Sequence, residues 1–234
     1  MADETIHKGV EQPASSSREL SDGTELVRNS TSNSAIPASI SFKDPRAGIK
    51  VSLALNKSLS ADLTDVLAAQ GVSWAVRTAL KYAPVTVSLD YSFSEELDAI
   101  ILNINQYLPA GVTSTEYRIV DNTERAVVSP VFGPVIGYSK YIPVSEIDEK
   151  FAFLAKGWDQ DTIGNGVIFA HARGDPTQPN GLEWESYQAI GFADVIVDDG
   201  IIERKYVSRL HFTSPKLKEP LEKRIVYDFV KEGL

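Results

Sequence analysis

His171 is the side chain in this sequence whose position most favours acid–base chemistry. It ends the apolar segment 166–171, in which Val167, Phe169 and His171 share one face of a strand with a period of two. His171 therefore continues an apolar row, and we predict that it points to the interior of the fold. An imidazole held there can transfer protons near neutral pH. The alternative is a histidine half-buried on a strand without a chemical role.

Two tyrosines are candidates for polarising a substrate carbonyl group. Tyr206 belongs to the apolar row of a strand predicted over 201–213, and Tyr117 lies on a mixed face of an earlier strand. A phenol can donate a hydrogen bond to a carbonyl oxygen. We therefore predict that His171, Tyr117 and Tyr206 are catalytic residues. For each tyrosine the alternative is a hydrogen bond to the backbone.

Four further residues are candidates for contacts with a substrate. Trp184 and Gln188 share one face of the strand predicted over 182–196. Tyr91 ends the apolar row of an earlier strand, and Phe169 lies in the same row as the candidate histidine. A ligand pocket combines an apolar lining with a few polar groups, and these four side chains supply both kinds. Each of them can also be a packing residue of the core.

Several kinds of site are excluded by what the sequence lacks. The chain has no cysteine, which excludes disulfides, thiolate metal sites and cysteine nucleophiles. It has neither a P-loop nor the Gly-x-Ser-x-Gly motif of hydrolases, and the segment 164–166 lacks the third glycine of a dinucleotide site. His171 and His211 have no carboxylate at the spacing typical of a local metal site. We predict neither a metal nor a cofactor.

The composition restricts the possible partners. The 234 residues carry a formal net charge of −9 at a pI of about 4.9, which argues against nucleic acid or an anionic membrane as the partner. No apolar run approaches the roughly 20 residues that span a membrane, and the N-terminus lacks the features of a signal peptide. We predict a cytoplasmic protein that binds a small hydrophobic molecule. A homo-oligomer remains an open alternative.

The predicted elements place these residues in one β-rich domain. Residues 1–38 are polar and without a sustained period, and they are predicted to be a disordered tail. A single domain over 39–234 follows, with a helical segment at 60–83 that Pro84 ends. Eight or nine antiparallel strands then alternate with short turns, including the hairpin signal at 198–200. Such a meander closes most simply into an up-and-down β-barrel, with a β-sandwich as the alternative.

Three stretches of the chain carry a resemblance to a known group of proteins. The segments 184–192, 201–212 and 224–229 resemble small lipocalin-like proteins of filamentous fungi, and the similarity extends over about 80–234. The resemblance implies a calycin-type barrel. It also implies either the transport of apolar ligands or, in some biosynthetic clusters, a cofactor-free cyclase or isomerase activity.

We therefore hypothesise a cofactor-independent cyclase, isomerase or lyase that acts on a small apolar metabolite inside a barrel pocket. Its substrate would belong to secondary-metabolite biosynthesis. A non-catalytic carrier of a small hydrophobic ligand is the alternative, because both functions need an apolar cavity with few polar groups. A third hypothesis is an interaction module whose barrel is filled by its own side chains.

Overall fold

The computed structural model describes residues 17–19, 25–28, 32–44, 46, 48–107, 113–198 and 200–230. These residues form a sheet of twelve strands and three short α-helices. The strands are β1 (Ser17–Glu19), β2 (Glu25–Arg28), β3 (Ile49–Leu55), β4 (Thr86–Ser94), β5 (Ala99–Tyr107), β6 (Thr113–Val120), β7 (Arg125–Ser129), β8 (Gly133–Ile142), β9 (Val167–Gly174), β10 (Glu185–Asp198), β11 (Ile201–Thr213) and β12 (Leu221–Val230). The helices are α1 (Thr64–Ala69), α2 (Trp74–Tyr82) and α3 (Gln160–Asn165).

The sheet closes on itself. Its strand order runs β11-β10-β9-β8-β6-β5-β4-β3-β12, and β12 pairs again with β11, so these nine strands form a complete ring. Neighbours in the ring are antiparallel, except for β6 and β8. Outside the ring, β7 pairs with β8 and β2 pairs with β11. The predicted antiparallel barrel is confirmed, and the β-sandwich alternative is wrong because no second sheet faces this one within the described residues.

The longest hairpin of the barrel follows the turn signal in the sequence. β10 and β11 pair antiparallel from Glu185–Thr213 to Asp198–Ile201, with an irregular register near Ile196. Gly200 has a φ of 77°, a conformation that glycine adopts without strain. The two strands curve around one side of the barrel and present the residues considered below.

The helical segment predicted over 60–83 is present as two short helices. Gly71 lies between them with a φ of 81°, which ends the first helix. The Ser73 side chain accepts a hydrogen bond from the Val76 amide and so caps α2. α1 packs on Trp184 and Phe212, at the end of the barrel to which β11 runs. We call this the helix end.

The opposite end is closed by the segment 32–42, which precedes the first strand of the ring. Phe42 inserts between barrel walls, with its ring centre 4.9 Å from that of Tyr91 and 5.0 Å from that of Phe192. Phe42 is almost wholly buried. We call the segment 32–42 the plug and this end of the barrel the plug end.

The plug begins within the predicted tail. Residues 32–38 were expected to be disordered, yet Ile36 is buried and its amide donates to the Arg204 carbonyl group. The reason is that polar anchors on β11 hold this segment, which hydrophobic periodicity does not reveal. Lys205 Nζ donates to the Ser34 carbonyl oxygen at 3.0 Å. The rest of the predicted tail, apart from β1 and β2, lies outside the described residues.

The strands have apolar residues on both faces, and each face contributes to a different hydrophobic cluster. Opposite walls of the barrel contribute Leu53, Leu89, Ile168 and Phe192 to one inner cluster. The segment 147–158 covers the outside of the wall formed by β9, β10 and β11. There it builds an outer cluster from Phe151, Leu154, Trp158, Val167, Phe169, Ala189 and Val207.

Candidate functional site

The interior of the barrel is packed tightly at the plug end and more loosely towards the helix end. Leu53, Leu89, Tyr91 and Leu102 have at most 1% of their surface exposed. Residues nearer the helix end keep partial exposure although barrel strands surround them. They are Leu55, Ile104, Arg118, Gln188, Leu210 and Tyr227. The inward side chains in the half of the lumen towards the helix end are therefore the more accessible ones.

A chain of polar side chains crosses this half of the lumen. Arg118 Nε donates to Glu116 Oε1 at 2.6 Å, and Arg118 Nη1 lies 3.5 Å from Gln188 Oε1. Gln188 Nε2 in turn donates to Ser208 Oγ at 2.6 Å. β6 and β10 are separated in the wall by β8 and β9, so the contact between Arg118 and Gln188 spans the lumen. We call these four residues the lumen chain.

Arg118 keeps its charge in this position. Burial by itself would lower the pKa of Arg118, but the charge of Glu116 and its hydrogen bond outweigh that effect and raise the pKa. The contacts with Glu116 and Gln188 leave further N–H groups of the guanidinium for a ligand. Arg118 is therefore a charged donor among mostly apolar inward side chains.

Two tyrosines lie beside the lumen chain. The rings of Tyr206 and Tyr227 meet edge-on with their centres 5.8 Å apart. Burial raises the pKa of Tyr206 well above its ordinary value and raises that of Tyr227 to about 12. The charges of Glu116 and Arg118 act on both phenols. Both hydroxyl groups are therefore protonated at neutral pH and able to donate. Tyr206 lies on the inner wall, as its apolar row predicts.

Sequence reasoning missed Glu116 and Arg118 because it chose the wrong face of β6. Tyr117 was expected to face the pocket, but it is 57% exposed on the outer face, so this expectation is wrong. Neither face of β6 is wholly apolar, so its period of two cannot decide the orientation. The pairing of Arg118 with the inward Leu102 decides it. The sequence did contain a signal for these two residues. Glu116 and Arg118 alternate along one face of β6, and this face lies beside the apolar inward residues of β5.

His171 was expected to point inward, and this expectation is also wrong. It lies in the outer face of β9, and Phe169 of the same row belongs to the outer cluster. Its Nε2 is 2.8 Å from Glu185 Oε1, and its ring stacks on Tyr187 at 4.6 Å. The row is apolar because the segment 147–158 covers it, whereas the inward row of β9 includes Ile168.

The carboxylate beside His171 is held in its charged form. Burial would raise the pKa of Glu185, but hydrogen bonds from Tyr187 and His171 lower it below its ordinary value. The Tyr187 hydroxyl donates to Glu185 Oε1 at 2.8 Å. This arrangement ties β9 to β10 on the outside of the barrel, and it has no contact with the lumen chain.

The remaining predicted residues are spread over the molecule. Gln188 and Tyr206 come together around Arg118. Trp184 lies at the helix end and stacks on Phe212 at 6.1 Å between ring centres. Tyr91 packs in the tight plug half, and Phe169 is buried outside the barrel wall. The structure therefore unites two of the seven predicted residues in the loosely packed half of the lumen.

The wall next to the lumen chain contains a weak seam. β6 and β8 are joined through a single residue pair, Val120 with Ser139. Towards the helix end, β7 occupies the edge of β8 from Gly133 to Gly137. In the described part of the chain, the edge of β6 that faces β7 therefore has no ladder of its own.

The chain is similar in sequence to one named protein and, more loosely, in backbone to two solved structures. No protein-family model matches the chain. Over 198 residues it is 28% identical to a protein of Mollisia scopiformis named "Probable pericyclase scpY", a match that covers 84% of this chain and 95% of that protein. Two solved structures, the REP1-NXSQ fatty acid transporter and a point mutant of it, superimpose more loosely. Their TM-scores are 0.45 and 0.46 at 14% and 12% identity, and they cover 78% and 77% of this chain and 96% of each transporter.

Metal-site geometry and membrane-spanning helices are both absent from the described residues. No three His, Asp or Glu side chains among them are grouped so as to hold a metal ion. No helix in the same ranges has the length and apolar character needed to cross a membrane.

Proposed function

We propose that this protein is a cofactor-free cyclase or isomerase that acts on a small apolar metabolite in the lumen half towards the helix end. The observation that carries the proposal is the lumen chain, a charged and hydrogen-bonded group on the inner wall beside partly exposed apolar side chains. The similarity to a probable pericyclase supports a ring-forming or rearranging reaction in secondary-metabolite biosynthesis.

The proposed mechanism combines confinement with hydrogen bonding. The walls hold a flexible substrate in a folded conformer, which removes much of the entropic barrier to a unimolecular rearrangement. Arg118 donates to a substrate carbonyl oxygen, and Tyr206 and Tyr227 supply further donors nearby. A donor fixed where negative charge develops contributes roughly a hundredfold or more to the rate. Gln188 orients the guanidinium, and Trp184 limits the cavity at the helix end.

A non-catalytic carrier is the second candidate function. The specific observation in its favour is that the charged groups of the lumen chain are already paired, because Glu116 and Arg118 bond to each other. A paired cluster can bind a polar end of a ligand without transferring a proton. Both candidates place the ligand in the same space, so they differ in turnover and agree in binding.

The mass of the product distinguishes an enzyme from a carrier in an experiment. A cofactor-free rearrangement converts a compound into an isomer of the same mass. Extracts of the source cells with and without the gene are compared by liquid chromatography and mass spectrometry, and an enzyme produces a new peak of unchanged mass. The purified protein should reproduce this conversion when it is given the compound that accumulates without the gene.

Arg118→Met tests the residue that carries the proposal. We expect this variant to lower kcat by roughly a hundredfold. Arg125→Met is the matched control, because Arg125 is paired with Asp121 on the surface, and we expect it to leave kcat unchanged. Unchanged turnover in Arg118→Met would contradict the proposed mechanism. Binding without conversion by the wild type would identify a carrier.

A further inference from the structure

The charges of the lumen chain balance each other. Glu116 and Arg118 form a pair at 2.6 Å, and they are the charged groups that act on both Tyr206 and Tyr227. Gln188, Ser208 and the two protonated phenols are neutral. Lys223 occupies an inward register position nearer the helix end, opposite Leu210. The side chains in contact with Arg118 and the two phenols beside it therefore carry no net charge between them.

A ligand that binds at Arg118 also lies close to the negative charge of Glu116. A neutral carbonyl oxygen accepts a hydrogen bond from the guanidinium and leaves the balance of charge intact. A carboxylate at the same place adds a second negative charge within a few ångströms of Glu116, and at that distance the repulsion persists although the Glu116 side chain is 44% exposed and partly screened by water. The arrangement therefore discriminates against an anionic end, although it contains an arginine.

We infer that the lumen selects apolar ligands with a neutral carbonyl group over ligands that end in a carboxylate, and that Glu116 is the specificity-determining residue. The inference rests on the proposed function, because it assumes that the lumen is the binding site. It narrows the substrate class to ketones, esters and related neutral carbonyl compounds. It also predicts that free fatty acids bind weakly to this barrel.

Two probes of similar length and different charge test the inference. Methyl undecyl ketone and the dodecanoate anion compete at pH 8 with the neutral fluorophore N-phenyl-1-naphthylamine for the full-length protein. We expect the ketone to bind the wild type about tenfold more tightly than the carboxylate. We expect Glu116→Gln to tighten carboxylate binding by about tenfold and to change ketone binding by less than about threefold. Glu124→Gln, an equal charge change on the surface, should alter neither affinity.

The outcomes of this experiment distinguish failure of the proposed function from failure of the inference. If neither probe displaces the fluorophore from the wild type, the lumen is not the binding site and the proposed function fails together with the inference. If both probes bind but the carboxylate is as tight as the ketone, the inference is overturned and the lumen site stands. The inference is also overturned if Lys223→Gln changes the preference for the ketone over the carboxylate and Glu116→Gln does not. The wild-type ratio is decisive even if Glu116→Gln does not fold.

Discussion

The buried guanidinium of Arg204 is one of the groups that hold the plug on the barrel. Arg204 Nε donates to Asp159 at 2.6 Å, and its Nη2 donates to Asp161 at 2.7 Å. Its Nη1 donates to the backbone carbonyl groups of Pro37 and Ile40. Arg204 and Asp159 are both buried, so neither charge can be hydrated if its partner is lost. The attachment of the plug therefore depends in part on the ion pairs that hold Arg204 in place.

Asp159→Asn should destabilise the protein by about 3 kcal/mol, because it leaves the buried charge of Arg204 partly uncompensated. Asparagine still caps α3 as aspartate does, so the loss reports on the charge rather than on the helix start. The free energy of unfolding in urea measures the effect. Asp148→Asn removes the exposed pair with Lys150 and should cost less than about 1 kcal/mol. Equal effects of the two substitutions would contradict this account.

The residue types in the sequence predicted only part of the candidate site. Tyr206 was found because it lies in an apolar row that turns inward, and Gln188 because it shares a strand face with Trp184 and Ile190. Arg118 was missed because a charged residue on a mixed strand is ordinarily a surface residue. His171 was placed on the wrong side because both rows of β9 are apolar, and only the covering segment distinguishes them. A period of two shows that two faces differ, but not which of them is inside.

The seam between β6 and β8 is the least connected part of the wall. One residue pair joins these strands, whereas β10 has ladders with both β9 and β11. Amide groups of β6 that face away from β5 therefore lack strand partners in the described part of the chain. The seam lies beside the lumen chain, so it is also where the wall can open most easily.

Hydrogen exchange measures this difference directly. We expect the β6 amides that face the seam to exchange at least about a hundredfold faster than the amides of β10, because backbone groups without a ladder open at low free energy. The β6 amides that face β5 serve as an internal control, since they belong to a regular ladder. If the amides on both edges of β6 were equally protected from hydrogen exchange, the wall would be closed between β6 and β8, which would contradict the weak seam.

The sequence predicted whole elements better than their connections. The hairpin at 198–200 and the two helices around Gly71 follow from local turn and capping chemistry. The plug and the covering segment 147–158 have no period of their own and are held by contacts with distant strands. Local patterns cannot show such contacts, because the backbone hydrogen-bond partners of the plug on β11 and β12 lie more than a hundred positions away in the chain and the partners of the covering segment lie on other strands.

At the scale of the whole molecule, buried phenols link the lumen to the stability of the fold. Tyr91, Tyr206 and Tyr227 belong to or pack against the inner cluster, and burial raises the pKa of each above the ordinary value. Each folded pKa lies above the unfolded pKa of about 10. Their contribution to stability is therefore complete below about pH 10 and is lost as the pH rises through the folded pKa values.

Alkaline unfolding tests this link. For Tyr227, a pKa of about 12 corresponds to about 3 kcal/mol of stability that is lost between about pH 10 and pH 12. The free energy of unfolding in urea, measured at a series of pH values, should fall across that range. Tyr227→Phe removes the ionisable group and keeps the ring, so its stability should decline less steeply with pH than that of the wild type. Parallel curves for the two proteins would mean that the Tyr227 phenol reaches solvent in the folded barrel, and the lumen would then be open to water rather than apolar.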